Sequence, residues 1–507
     1  NLLNGTNYIL AGGGNEWTIM GLFFRANYAY KDKYLVEING RYDGSSNFPS
    51  YSRFGFFPSI SAGWVLSKES FMDATSSWMD NLKVRASVGS LGNGQIKPYL
   101  FDPLMTVQKP SSSQNISING VIPTYTSNPN VIPSGLTWEK STTVDGGIDG
   151  SFLKNRLRFS FDYYIRYSTG NFTSGQPLPA VFGAAVPNGN NANLKTMGWE
   201  FSPSWHSNIT RDLSFNIGIV LSDNTSVITR FYNPNGVLPY TVPYTLTPST
   251  YYKGMHPGEI WGFQTEGLFQ SQQDITSHAN QSYFTVSNSN VIMPGDIKFA
   301  DINHKGVINN GQNTLADHGD LKILGNATPR YLFGINLGTT WRRFSIAAFF
   351  QGVGHQNWWP GVEAGNFWGQ YNRPYESMPA YMMKDVWSAD NPNAYYPRYR
   401  GYVALSGTRE LAVVQSRYLQ NAAYIRLKNL NVSYSLPVET CTKLKIKAAK
   451  IYFTGQNMFT LSPLHRYAAN FDPEVINGAD PEVNAGSGNG YSYPMLKTFT
   501  AGVNLTF

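Results

Sequence analysis

The last nine residues read Phe499-Thr-Ala-Gly-Val-Asn-Leu-Thr-Phe507 and alternate strictly between apolar and polar side chains. A period of two indicates a β-strand with one apolar and one polar face. An apolar strand at a free chain end is an aggregation hazard in a soluble protein. It suits an outer-membrane β-barrel, where one face meets lipid and the other a wet lumen. The last strand of a soluble sandwich is the alternative, and this segment alone leaves both open.

The composition favours the membrane barrel. Only 14% of the 507 residues are charged, against roughly 25% in soluble domains, whereas 15% are aromatic. The mean hydropathy is −0.30, and no apolar run reaches the about 18 residues of a membrane-spanning helix. A barrel strand dilutes its apolar residues with lumen-facing polar ones, which explains this combination.

Cysteine content and charge exclude other classes. The single cysteine, Cys441, cannot form an internal disulfide and matches no metal-site spacing. The net charge is +7, but the densest basic run, Lys443-Leu-Lys-Ile-Lys447, alternates like a strand or turn edge. This pattern argues against nucleic-acid binding. The chain starts at Asn1 without a signal peptide, so we expect a mature form or a fragment of an exported protein.

Alternating segments recur along the chain. The clearest runs from Leu157 to Tyr167, where large apolar side chains alternate with a polar face that includes Arg158, Asp162 and Arg166. Charges on the reverse face of a long apolar strand indicate a division between lipid and lumen. The other predicted strands are 17–30, 34–43, 53–67, 82–88, 137–148, 194–205, 213–223, 259–270, 330–338, 344–352, 424–436, 449–461 and 495–507.

The connections between these strands are unequal, as in barrels with short periplasmic turns and long extracellular loops. If the C-terminus is periplasmic, successive connections counted back from Phe507 alternate between the two sides of the membrane. All five short connections then fall on the periplasmic side only if a further strand crosses near Asp296–Ile302. The total is about 15 strands. Because this set is odd and incomplete, we expect that earlier strands are missing from this chain or lie in a separate one. A phase change near Lys428-Asn429 predicts a β-bulge. The short connections are 31–33, 151–155, 207–212, 341–343 and 437–445, and the long ones are 90–136, 168–193, 224–256 and 353–422.

Several sequence blocks, in order along essentially the whole chain, resemble the C-terminal barrel portion of SusC/RagA-type TonB-dependent transporters of Bacteroidota. The blocks are Tyr34-Leu-Val-Glu-Ile-Asn-Gly-Arg-Tyr-Asp-Gly-Ser-Ser-Asn-Phe48, Arg53-Phe-Gly-Phe-Phe-Pro-Ser-Ile-Ser-Ala-Gly-Trp64, Leu82-Lys-Val-Arg-Ala-Ser-Val-Gly-Ser-Leu-Gly-Asn93, Pro294-Gly-Asp-Ile-Lys298, Tyr424-Ile-Arg-Leu-Lys-Asn429 and Gly455-Gln-Asn-Met-Phe459.

The resemblance implies an all-β, transmembrane, antiparallel barrel of about 22 strands around a plug. Residues 1–507 would form its C-terminal part, and the plug and N-terminal periplasmic domain would precede them. It also implies a location in the outer membrane, a SusD-like surface lipoprotein as lid, energy from the TonB complex, contact with outer-membrane lipid, and dimers of transporter–lid pairs. An aromatic terminus such as Phe507 resembles the signal read by the barrel-insertion machinery.

The long segment 353–422 is rich in aromatic residues, and three roles for them stay open. Aromatic faces stack on sugar rings and anchor protein interfaces, and near a membrane rim they form a girdle. The candidate substrate-binding residues are Trp358, Trp359, Trp368, Tyr371, Tyr395 and Tyr396. Segment 224–256, with Tyr240, Tyr244, Tyr251 and Tyr252, carries the same ambiguity.

The segment Asp301-Ile-Asn-His-Lys-Gly306 resembles the start of a calcium loop. Lys305 stands where an acidic or amide ligand is expected, and Gln312 replaces the bidentate glutamate, so we expect a structured loop without metal. No catalytic motif occurs, and no cofactor is implied. The sequence thus predicts a non-enzymatic importer of a large nutrient, an oligosaccharide or an oligopeptide. The alternative is a structural scaffold or adhesin barrel in a surface complex.

Overall fold

The computed structural model describes most of the chain, including the backbone but not the side chains of residues 381, 402 and 403. The described ranges are 14–105, 107–108, 117–126, 129–133, 135–179, 181, 183, 185–242, 250–284, 291–362, 364–372, 375, 378, 380–400, 402–476 and 494–507.

Strands dominate the structure. They are β1 (Ile19–Tyr30), β2 (Tyr34–Ser45), β3 (Phe54–Val65), β4 (Met79–Asn93), β5 (Val107–Gln108), β6 (Tyr125–Thr126), β7 (Glu139–Phe152), β8 (Leu157–Ser174), β9 (Asn188–Asn208), β10 (Leu213–Arg230), β11 (Glu259–Phe263), β12 (Thr265–Leu268), β13 (Ile297–Phe299), β14 (Leu321–Asn326), β15 (Arg330–Trp341), β16 (Phe344–His355), β17 (Asn357–Trp358), β18 (Gln420–Asn421), β19 (Tyr424–Ser435), β20 (Ala448–Gln456), β21 (Thr460–Leu461) and β22 (Thr498–Thr506). The short helices are α1 (Gln272–Ser277), α2 (Gly365–Trp368), α3 (Ala380–Met383) and α4 (Val438–Lys443).

The long strands form one 14-stranded antiparallel sheet. Its order is β1-β2-β3-β4-β7-β8-β9-β10-β15-β16-β19-β20-β22, with β21 beside β19. Sequence neighbours in this sheet are also spatial neighbours, so successive connections fall at alternate ends. In the described ranges, four two-stranded sheets lie outside it: β5 with β6, β11 with β14, β12 with β13, and β17 with β18.

The register gives the sheet two chemically different faces. On β20 and β22, Ile451 lies opposite Val503, whereas Lys450 lies opposite Asn504. Cross-strand partners share a face, so apolar residues meet apolar ones and polar residues meet polar ones. Val503 is 60% exposed, as expected for a side chain that lipid covers. The same sorting holds where Trp341 pairs with Phe344, next to Thr340 opposite Ser345.

Contacts divide the chain into two compact units. The first comprises Asn1–Trp64, Arg85–Gly146 and Ile165–Lys195. Its aromatic core joins Trp138 to Phe48 and Phe57 at ring-centroid distances of 5.0 and 5.5 Å. Its strands carry the ion pairs Arg25–Glu37, Arg41–Asp43 and Arg85–Asp145.

The second unit comprises Val65–Val84, Gly147–Tyr164 and Thr196–Phe507. It contains the sheet from β10 through β22 and the long connections 231–329, 356–423 and 457–497. Most of the large buried side chains lie in these connections rather than between the long strands.

The sequence predicted the long strands and the bulge correctly. Phe349 pairs with Asn429 and Phe350 with Leu427, so the register skips Lys428. Several strands extend beyond the predicted bounds, for example β9, which starts at Asn188. Residues 188–193 carry no apolar alternation, and periodicity therefore could not reveal this extension.

Two predicted barrel strands are wrong. Residues 259–270 form β11 and β12, and the segment near Asp296–Ile302 forms β13, which pairs with β12 outside the main sheet. All five residues of β11 are buried, so its apolar pattern reflects a buried core strand. The parity argument required an even number of crossings between β10 and β15, and the described residues of that segment contain no strand of the main sheet.

Helices are short in this structure. For example, Ser70–Thr75 form a 3₁₀ helix. None of the helices in the described ranges is long and apolar enough to span a membrane. Phe507 lies one residue beyond β22 and is 77% exposed, and its role as an assembly signal stays a prediction.

Substitution of neighbouring residues on opposite faces of β22 tests the division of the sheet. In the full-length protein, Val503→Arg places a cation in lipid and should destabilise the folded state by about 2–4 kcal/mol if the residue lies near the bilayer midplane. Asn504→Arg, at almost the same depth on the polar face, should cost far less. Denaturant unfolding from lipid vesicles measures both changes. Equal losses of stability would contradict the assignment of faces.

Candidate functional site

Three long connections of the second unit pack into one body, which we call the loop assembly: the described residues of 231–329, 356–423 and 457–476. Among the residues that the structure describes, it contains eleven of the twelve largest fully buried side chains. They are Phe263, Phe269, Phe284, Phe299, Trp358, Trp359, Phe367, Trp368, Tyr371, Tyr396 and Tyr418. Such rings bury large apolar areas, so they hold the connections together where the sheet does not.

Helix α2 supplies the centre of this aromatic core. Phe367 contacts the rings of Trp358, Trp368, Tyr396 and Tyr418, each within 6.4 Å between centroids. Polar atoms of the rings find backbone partners: the Trp368 indole donates to the Gly361 carbonyl at 2.9 Å. Buried indole and phenol groups with such partners avoid the cost of desolvation without a hydrogen bond.

The structure brings all six predicted substrate-binding residues together in this core. Trp358, Trp359, Trp368, Tyr371 and Tyr396 are at most 2% exposed. The sixth, Tyr395, stacks on Tyr467 with centroids 3.7 Å apart and planes 4° apart. Because other rings occupy their faces, packing of the loop assembly is the role that this geometry supports. Direct contact with a ligand stays a prediction and requires the assembly to open.

The remaining loop aromatics divide between core and surface. Tyr240 and Tyr252 are each 6% exposed, and the Tyr252 hydroxyl donates to buried Glu259. Tyr375, in contrast, is 80% exposed. Tyr244 lies outside the described residues.

Sequence reasoning missed a buried carboxylate pair that joins two of the connections. Arg400 makes a bidentate ion pair with Asp296, with Nε–Oδ1 and Nη2–Oδ2 distances of 2.7 and 2.5 Å. Glu410 is fully buried, and one of its oxygens accepts the Ile297 N–H at 2.9 Å. Its other oxygen, Oε1, has no hydrogen-bond partner among the described residues. Asp296 thus takes the Arg400 guanidinium, and Glu410 lies buried nearby without a cation of its own in the described part of the assembly.

This arrangement favours a protonated Glu410. Burial, together with the negative charge of Asp296, raises the pKa of Glu410 from its ordinary 4.5 to about 8. Asp296 keeps Arg400 as its direct partner, whereas Glu410 has no ion pair of its own among the described residues. A buried carboxyl group without a close cation is neutral at pH 7.

A second ionic cluster, also missed, ties the last connection to the sheet. Arg426 on β19 is 3% exposed and pairs with both Asp472 and Glu474. Lys428, the residue skipped by the bulge, reaches Glu474 at 2.8 Å. Asp472 also accepts the Met495 N–H at 2.9 Å, just before β22. The partners in the three ion pairs lie 46 or more residues apart in the chain, so no local signal reveals them.

In the calcium-like segment, carboxylate oxygens accept hydrogen bonds from nearby backbone N–H groups. Asp301 accepts the N–H groups of Lys305 and Gly306 at 3.2 and 2.8 Å. Buried Asp320 accepts the Ile302 N–H at 2.9 Å. Within the described ranges, no group of three or more His, Cys, Asp or Glu residues is arranged to hold a metal ion. These hydrogen bonds fix the turn and thereby one side of the loop assembly.

The fold and this loop architecture match a known family. The family sequence model described as "TonB dependent receptor-like, beta-barrel" matches residues 3–458. The chain belongs to this family. Its members are outer-membrane proteins, so this TonB-dependent receptor chain lies in the outer membrane.

Individual relatives indicate which type of TonB-dependent receptor this chain is. TonB-dependent receptor P3 of Formosa agariphila is 30% identical over 513 residues, which cover 97% of this chain and 46% of the relative. TonB-dependent receptor SusC of Bacteroides thetaiotaomicron is 25% identical over 495 residues, or 97% of this chain and 44% of SusC. These similarities identify a receptor of the SusC/RagA type. The chain spans less than half the length of these curated relatives.

Solved structures show the same fold. The RagAB peptide transporter superposes with a TM-score of 0.69 at 20% identity, over 97% of this chain and 48% of the matched chain. Its "open-open" state gives a TM-score of 0.70 over a similar extent. The receptor chain therefore has the architecture of the corresponding part of those structures.

The loop assembly should lose stability as pH rises. Between about pH 4.5 and 8 the closed assembly retains the Glu410 proton that an opened one releases, a slope of at most about 1.4 kcal/mol per pH unit. Glu410→Gln should remove this slope and protect the assembly above pH 8. Hydrogen exchange of segments 291–300 and 404–416 measures the pH slope and the stability above pH 8. Glu439→Gln, an exposed carboxylate in α4, is the matched control. A slope unchanged in Glu410→Gln would contradict the assignment.

Proposed function

We propose that the full-length receptor containing this chain imports a large nutrient across the outer membrane together with a SusD-like surface lipoprotein. In this proposal the TonB complex supplies the energy through parts that lie outside this chain. The chain supplies wall strands and the loop assembly at the end of the sheet that carries the long connections. Catalysis has no part in the proposal, since transport needs only binding and a change of conformation.

The loop assembly is the observation that carries this proposal. Simple porin-like loops would not need a core with eleven fully buried large side chains. A rigid assembly built from three connections can seat a lid protein and move as a body. The similarity to SusC and to the RagAB peptide transporter supports the same reading.

We infer that the substrate is an oligosaccharide or an oligopeptide. The name of the RagAB structure favours a peptide for that protein, whereas the aromatic residues of the loop assembly suit sugar rings as well. Stacking of Trp358, Trp359, Trp368, Tyr371, Tyr395 or Tyr396 on such a ligand would require the assembly to open, because these rings are now packed against each other. Pairing of two transporter–lid units into a dimer also stays a prediction.

A structural scaffold or adhesin barrel is the second candidate function. The tightly packed loop assembly would suit a static platform for a surface complex. The two functions differ in their energy requirement, since a platform works without TonB and without passage of solute.

Uptake measurements separate the two functions. Deletion of the full-length gene should reduce accumulation of one class of fluorescent oligosaccharides or oligopeptides. Loss of TonB or collapse of the proton gradient should reduce it equally, because import requires energy coupling. A plasmid copy restores uptake in the control strain. Unchanged uptake of both classes, with loss of a surface complex instead, would contradict import and favour the scaffold.

A further inference from the structure

Four short connections of the second unit carry an unusual concentration of positive charge. We call the connections 153–156, 209–212, 342–343 and 436–447 the basic strip. Their acidic residues are Asp212 and Glu439. Their basic residues are Lys154, Arg156, Arg211, Arg342, Arg343, Lys443, Lys445 and Lys447. The strip thus has an excess of six positive charges, against +7 for the whole chain, so the remainder of the chain is within one charge of neutral.

Backbone hydrogen bonds make the strip continuous. Each connection is bonded to the strand or turn next to it, so the charged segments follow one another along the same end of the sheet. The donor–acceptor pairs are His206–Arg156 at 2.8 Å, Arg342–Asp212 at 2.7 Å, Ser435–Arg343 at 2.9 Å and Lys447–Thr506 at 2.7 Å. The neighbouring connection 66–78 is not basic, since Lys68 is offset by Glu69 and Asp73.

The charges of the strip are exposed and largely unneutralised. Arg342 lies 3.4 Å from Asp212, with both side chains more than half exposed. In the part of the chain that the structure describes, none of the other seven basic side chains has a carboxylate within salt-bridge distance. Mutual repulsion would disfavour such a row in isolation, and a negatively charged surface would relieve it.

Exposed apolar side chains accompany the charges. Trp341 and Phe344 are 54% and 47% exposed, and their rings stack at 6.5 Å. The Arg342 guanidinium lies over the Trp341 ring at 5.7 Å. Leu153, Ile209, Val438 and Leu444 are exposed as well. Apolar side chains next to cationic heads match the boundary between acyl chains and headgroups.

We propose that the basic strip binds anionic phospholipid headgroups in the periplasmic leaflet of the outer membrane. Short turns face the periplasm in outer-membrane barrels, where the leaflet consists of phospholipid. Lys443, Lys445 and Lys447 supply three charges from one connection, and Arg343 supplies another from the next. The exposed apolar residues beside the strip, such as Trp341 and Phe344, continue into the lipid-facing side of the sheet. This continuity favours lipid over an acidic protein as the partner of the basic strip.

Lipid titration of the full-length receptor tests the proposal. Native mass spectrometry counts phosphatidylglycerol and phosphatidylethanolamine molecules bound to the receptor in detergent. The triple variant Lys443→Gln, Lys445→Gln, Lys447→Gln should bind phosphatidylglycerol on the order of 100-fold more weakly, since each lysine contributes about 1 kcal/mol at an anionic surface. Its binding of phosphatidylethanolamine should not change. Added salt should weaken phosphatidylglycerol binding to the unaltered receptor more than to the variant.

Two further variants keep the test independent of folding. Lys443→Arg, Lys445→Arg, Lys447→Arg preserves the charge and should preserve phosphatidylglycerol binding. The variant Lys253→Gln, Lys305→Gln, Lys384→Gln removes three exposed charges from the long connections and should bind as the unaltered receptor does. Equal binding of the two lipids, or an equal loss in this control, overturns the proposal. Unchanged lipid binding with loss of an acidic partner protein also overturns it and assigns the strip to protein docking.

Discussion

Pairing of the backbone in a medium without water is the constraint on which this structure depends. Every N–H and C=O group that crosses the hydrocarbon must be bonded within the protein, and strands can achieve this only in a continuous sheet. The 14-stranded sheet pairs its backbone groups between the edge strands β1 and β22, with neighbours in chain order. Its register then sorts residues such as Val503 and Asn504 onto opposite faces. A slip of one residue would exchange the two faces, so the register and the membrane environment specify each other.

The long connections outside the sheet face a different constraint. They lie in water and must bury apolar side chains in a core of their own. Aromatic rings around Phe367 provide that core, and ion pairs fasten it to the strands. Burial and the nearby charge of Asp296 raise the pKa of Glu410 and favour its protonated form, which avoids an unpaired buried charge. The loop assembly is therefore held by aromatic packing, by buried ion pairs and by a carboxyl group whose protonation depends on pH.

Sequence patterns predicted the part of the fold that lipid dictates and little of the part that packing dictates. Alternation located the long strands, and a phase change located the bulge at Lys428. The same alternation misassigned 259–270, because a strand buried in a loop core has similar composition. Aromatic content marked the candidate site, but the burial of Trp368 could not be read from it. The pair Arg400–Asp296 joins residues 104 positions apart, a separation at which no local pattern carries information.

Spin-label accessibility along β20 and β22 tests the central claim most directly, namely that one face of the sheet meets lipid and the other water. Single cysteines would be labelled in turn at positions 450–454 and 500–504 of the full-length receptor in bilayers, after replacement of buried Cys441. Collision with oxygen, which partitions into lipid, should peak at Ile451, Phe453, Ala501 and Val503. Collision with a water-soluble nickel chelate should favour the positions between them. Accessibility without a period of two, or with the opposite phase, would contradict the account.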